Sequence, residues 1–338
     1  MNMLSKLFAL GGALTIALTG FAQAPAQGEA GKAVSPPPII VPAVRVNHAT
    51  HAMMLATAHA GSRLVAVGDH GVVLLSDDDG ATYRQAREVP IDVPLTSVSF
   101  TDDRQGWAVG HWGAVLHTAD GGETWRLLRS DTQQDRPLFA VHFFDARHGV
   151  AAGLWSLVLV TEDGGAHWNS VKLEAPEGAK RADLNLLGLF TDPQGHLYAP
   201  AEHGMVLRSD DQGQHWRYLN TGYAGSFWTG VATSSGGLIV AGLRGSMYRS
   251  VDAGQHWERI DTHSKSSITA LAAEGDRIVG VGLDGLVLRS QDAGASVATE
   301  VRNERTSLTA LALGKSGRPI LFSDRGVVAG SSGGAPTR

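Results

Sequence analysis

The chain has 338 residues, with 42 Gly, eight Trp, no Cys and a formal net charge of -5. Hydrophobic residues make up 43% and charged ones 18%, a balance that excludes a disordered chain. The lack of Cys excludes disulfides, thiol nucleophiles, iron–sulfur clusters and Cys-type zinc sites, and the acidic balance argues against binding nucleic acid through bulk positive charge. At about 150 residues per domain the length suggests two domains, although closed all-β folds run this long as one.

The first element is an address. Lys6 forms a positive start, Leu7 to Ala22 is an apolar run, and Ala22-Gln23-Ala24 is a small-x-small cleavage site. The pattern predicts a secretory signal peptide over residues 1–24, cut after Ala24. The run is shorter than the roughly 20 residues of a membrane span, and an uncleaved anchor is the competing reading. The mature chain is then expected in the periplasm or outside the cell, and not membrane-spanning. Residues 25–38 (PAQGEAGKAVSPPP) form a flexible, Pro-rich lead-in.

From residue 39 to 330 one motif recurs. The stretch 95–128 aligns with 138–171, and the same frame fits 53–86, 184–219, 227–260 and 268–301, with a truncated copy at 308–330. A period of about 40–47 residues belongs to propeller blades. Each copy holds four short strand signals, such as Leu95–Phe100, "GWAVG", "GAVLHT" and "TWRLL". The expected fold is all-β: one seven-bladed propeller. The seventh copy lacks a fourth strand, and the surplus strand Ile39–Val46 is expected to complete it and close the ring. Residues 331–338 are a tail.

Two turns punctuate each copy. Strands two and three are joined by a tight hairpin between glycines, as at Gly68…Gly71 and Gly110…Gly113, with departures at Gly153…Ser156, Pro200…Gly204 and Ser323…Gly326. Strands three and four are joined by Ser/Thr-x-Asp-x-Gly-x-(Thr/His)-Trp, an Asp-box, in which Asp78, Asp120, Asp163, Asp211, Asp252 and Asp292 are expected to bond their own turns. The aromatic at the end of the box is expected to bury against the blade. His167, His215 and His256 replace Thr in the box, and Arg208, Arg249 and Arg289 share one position just before it; a structural role is expected for all six.

The hairpins with their Asp-boxes resemble bacterial neuraminidase (BNR) propellers. With seven blades and a signal peptide, the chain looks most like the photosystem II assembly and stability factor propellers, over roughly residues 39–330. The photosynthetic members of that family bind a membrane protein through an Arg-rich patch; this sequence keeps the scaffold with only part of a basic surface, so the resemblance implies a binding and assembly factor outside photosynthesis.

In such a fold the hairpin tips gather on one face with the loops that join one blade to the next. The tips read Asp69-His70, His111-Trp112, Leu154-Trp155, Glu202-His203, Leu243-Arg244, Leu283-Asp284 and Asp324-Arg325. Trp and Arg dominate interface hot spots, so His70, His111, Trp112, Trp155, His203, Arg244, Asp284 and Arg325, with Tyr223 from a neighbouring loop, form a candidate binding face. The competing reading is that Trp112 and Trp155 merely cover the blade tops, with the scattered Arg as ordinary solvated surface. The expected partner is an envelope or membrane protein, bound by a monomer. The rival function is a glycan binder or sialidase-like hydrolase, since Trp also stacks on sugars. Glu202 and Asp284 could supply carboxylates, but their blades are not adjacent. His70, His111 and His203 lack metal-ligand spacing, and neither a metal nor another cofactor is expected.

Overall fold

The computed structural model describes residues 40–329, and these form a seven-bladed β-propeller of small antiparallel sheets. Six blades have four strands each. They begin with the inner strands Met54–Ala60, Leu95–Phe100, Leu138–Phe143, Phe190–Thr191, Phe227–Ala232 and Ile268–Glu274. The seventh starts at Leu308–Leu313 and has three strands among the described residues. Within each sheet the strands follow chain order, so every connection is a hairpin. No helix among the described residues is long and apolar enough to cross a membrane.

The core is divided into seven buried clusters, one at each seam between blades. Val65, Val73 and Leu75 of blade one meet Leu95, Leu116 and Trp125 of blade two. Ala310, Ile320 and Phe322 of blade seven meet Met54, Leu64 and Leu74 of blade one, which closes the ring. Inner-strand hydroxyls reinforce these seams. Thr96 Oγ1 donates to the Leu138 carbonyl at 2.6 Å, Thr269 Oγ1 to Leu308 at 2.8 Å, and Thr309 Oγ1 to Met54 at 2.6 Å. The last bond joins the two ends of the repeat.

Closure differs from the expected strand at Ile39–Val46. Ile39 lies outside the described residues, and 40–46 take no strand conformation. They run instead along blade one. The Ala43 N–H donates to the Val89 carbonyl at 3.0 Å, and the Asp92 N–H to the Val41 carbonyl at 2.8 Å. The Gln85 amide brackets the segment by bonding the Val46 N–H and the Val44 carbonyl. Gln85 satisfies two backbone groups at once, which favours this berth.

The turn after each third strand repeats one bonding pattern. At Asp120 the carboxylate accepts from the Thr118 hydroxyl at 2.8 Å, the Thr124 N–H at 2.9 Å and the Thr124 hydroxyl at 2.7 Å. Asp78 and Asp292 bond in the same way through Thr82 and Ser296. At Asp163, Asp211 and Asp252 the imidazoles of His167, His215 and His256 replace the hydroxyl, at 2.7, 2.6 and 2.6 Å. The aromatic that ends the turn packs towards the preceding blade, as Trp125 does with the strands of blade one. Arg208 and Arg249 reach across their seams to the carbonyls of Ala253 and Ala293 in the next turns. Arg289 has no such turn ahead of it among the described residues, and it is exposed.

Candidate protein-docking face

A meander of four strands sends the two-to-three hairpins and the blade-to-blade loops to one side of the ring. Each tip is a single tight turn, such as Asp69–Gly71, His111–Gly113 and Leu243–Gly245. The glycine before the tip is required by close approach. A Cβ on Gly110 would lie 2.1 Å from the Pro94 carbonyl oxygen, which accepts the His111 N–H.

The second tip residue sits in the left-handed region. Its φ is 51° at His70, 57° at Trp112, 53° at Trp155, 55° at His203, 57° at Arg244 and 58° at Asp284. An L-residue is held there at a cost of roughly 1–2 kcal/mol relative to the right-handed region. Asn, Asp or Gly would relieve it. The turns on the opposite side use Asp79, Gln212, Ala253 and Ala293 in the same conformation, whereas five of these six tips use His, Trp or Arg. This conformation also points the tip side chains outward. His70, Trp155, His203, Arg244, Asp284 and Arg325 are exposed, and His111 and Trp112 are half-buried. Trp155 is 59% exposed, the largest apolar side chain so displayed.

Each tip is braced by the loop leading to the next blade. Asp135 accepts the Trp112 N–H at 3.0 Å, Asn185 the Trp155 N–H at 3.0 Å, and Ser267 the Arg244 N–H at 3.1 Å. Arg129 donates to the Gly113 carbonyl at 2.6 Å, and burial lowers its pKa below the ordinary arginine value. Arg136 donates to the Trp155 carbonyl. Asp135, Asn185 and Ser267 were not singled out in the sequence. Their one signal is a polar residue shortly before the next inner strand.

Several candidate side chains are engaged within the protein. Glu202 accepts both the N–H and the side-chain amide of Asn185, at 2.9 and 3.1 Å. Asp284 accepts the Ser266 hydroxyl at 2.8 Å. His70 lies 3.0 Å from an Asp92 oxygen. Tyr223 is half-buried against Phe227 and Tyr248, and its hydroxyl donates to the Leu243 carbonyl at 3.0 Å. Its place is under tip five, as a support. Arg244 and Arg325 have no side-chain partner among the described residues and project from blades five and seven. Trp112 and Trp155 stand across the ring on blades two and three. The face therefore offers an aromatic arc and a separate cationic arc.

A central channel of about 460 Å³ opens between the inner strands. Its lining is mainly Ser, Thr and aliphatic residues, with Phe139, Trp228, His59 and His142. Among the described residues no group of three or more His, Cys, Asp or Glu is arranged to hold a metal ion.

The profile of the family described as photosynthesis system II assembly factor YCF48 matches residues 83–276. A solved structure described as YCF48 bound to D1 peptide is 19% identical, with a TM-score of 0.68 over 84% of this chain and 94% of its own. YCF48 from Cyanidioschyzon merolae is 17% identical, with a TM-score of 0.65 over 82% of this chain and 95% of its own. At these identities the two structures establish a shared fold. No curated protein matches the chain.

Proposed function

The chain belongs to the photosynthesis system II assembly factor YCF48 family, and from that membership we propose that its tip face docks onto a protein of an envelope or membrane complex under assembly. It is a binding propeller and not an enzyme. The observation that carries the docking reading is the rigid display of Trp155. Its backbone is fixed through Asn185 and Arg136 while its indole stays in solvent. A large aromatic held still in water is pre-organised for burial by a partner. Arg244 and Arg325 add unpaired charge that would orient an acidic segment of that partner. That a YCF48 structure holds a D1 peptide supports a protein segment as the ligand. The signal-peptide pattern supports action in the periplasm or outside the cell.

The test is crosslinking of the tagged protein in its native envelope. The expected result is one protein complex, lost in a Trp155→Ala/Arg244→Ala double variant that melts like the parent. Equal capture by parent and variant would move the docking site off this face.

A further inference from the structure

Exposed large apolar side chains are concentrated in one place. Seven stand out among the described residues, and four of them lie in a single seven-residue segment: Ile40, Val41, Val44 and Val46, between 40% and 67% exposed. The segment is fastened to blade one by the backbone bonds to Val89 and Asp92 and by the Gln85 bracket. The side chains are thus presented on a fixed edge. Pro42 removes a donor from that edge and blunts it against pairing with another strand.

We infer that this strip is a lipid-contacting margin that seats on an anionic membrane surface; the inference rests on the tip face docking to a membrane-associated partner. Two features commit it to lipid. Arg45 follows Val44 and precedes Val46, exposed and with no acidic partner among the described residues, and no acid lies in 40–46. Val and Ile beside an unpaired cation suit the boundary between acyl chains and anionic headgroups. The strip also adjoins the tip face. A Cβ on Gly71 would lie 2.9 Å from the Ala43 Cβ, and Asp92, which donates its N–H to Val41, contacts His70 at tip one. A tip face held against a membrane protein would bring this margin to the surrounding lipid.

The test is flotation of the chain from Pro25 onward, which contains every described residue, with vesicles of 70% zwitterionic and 30% anionic phospholipid. The expected result is co-flotation, reduced at least fivefold by Val44→Glu/Val46→Glu and by Arg45→Glu, with melting temperatures unchanged. The Trp155→Ala/Arg244→Ala variant should float like the parent, so lipid contact is read separately from partner docking. A parent that stays at the bottom of the gradient would overturn the inference, as would a double-glutamate variant that floats equally. A parent dimer that the same glutamates convert to monomer without lipid would assign the strip to self-association instead.

Discussion

Asn185 ties two neighbouring blade tips together: its side-chain oxygen accepts the Trp155 N–H of tip three, while Glu202 of tip four holds its own N–H and amide. Tip three is thereby positioned by the loop that introduces blade four. Asn185→Ala removes the acceptor for Trp155 and leaves Glu202 without the amide donor. We expect a loss of about 1–2 kcal/mol of stability and a several-fold weaker partner. Trp155→Ala should weaken the partner further while changing stability by less than about 0.5 kcal/mol. Thermal denaturation beside an affinity measurement checks the split. If the two variants lose stability equally, Trp155 is packing and not a docking anchor.

Arg244 tests whether the tips give up stability for display. Its φ is 57°, and its N–H rests on Ser267 whatever the side chain. Arg244→Gly removes the left-handed penalty but adds freedom to the unfolded chain. The expected net is a gain of about 0.5 kcal/mol, with partner capture reduced. Chemical denaturation measures the first effect and pull-down the second. A clear loss of stability would show that the guanidinium is structural.

The Asp-centred turns should govern the acid limit of folding. Asp120→Ala removes three acceptor contacts and should cost about 1–3 kcal/mol. Hydrogen bonds from Thr82, His167 and Ser296 hold Asp78, Asp163 and Asp292 at about 2. An unfolded carboxyl titrates near about 4. The folded pKa is the lower one, so this stabilisation is complete above about pH 4. It is lost as pH falls from about 4 towards 2, where protonation ends the acceptor role. Melting temperature against pH in that window measures it, and an Asp163→Asn variant should show a shallower decline. An unchanged slope would mean that other groups control acid unfolding.

These turns were legible in the sequence because their chemistry is local. Ser or Thr, Asp and Gly at fixed spacing satisfy one another within eight residues, and the recurrence shows the frame. The count of seven blades was legible for the same reason. The berth of residues 40–46 was not. Their apolar character suited an outer strand of blade seven, but Gln85, Val89 and Asp92 on a neighbouring blade decide where they lie. Tyr223 shows the same limit. Its place in a tip-side loop suggested the binding face, whereas packing on Phe227 and Tyr248 turns its hydroxyl inward to Leu243. Sequence reading found which tips carry Trp and Arg. It could not find Asn185 or Asp135, because a bracing residue is defined by what it reaches and not by its type.

His142 marks a second pH dependence, separate from the acid limit. It lines the central channel from the inner strand of blade three, mostly buried in the wall, with its ring against Phe144. The other titratable group in the channel lining is His59, 3.0 Å from the Leu313 carbonyl. Burial pushes the His142 pKa down to about 4 from an ordinary 6.5. The charged imidazolium is therefore disfavoured in the fold and free to form in the unfolded chain. Between about pH 6.5 and 4 the unfolded state binds more protons, so stability falls as pH is lowered through that window and this contribution levels off below it. The expected change is on the order of 3 kcal/mol. His142→Gln keeps a polar side chain in the wall but cannot take up the proton. Its stability should be flatter than that of the parent from pH 6.5 to 4 and should run parallel to it below, where the carboxylates of the turns take over. A variant whose profile keeps the parent slope between 6.5 and 4 would place the proton uptake at another histidine.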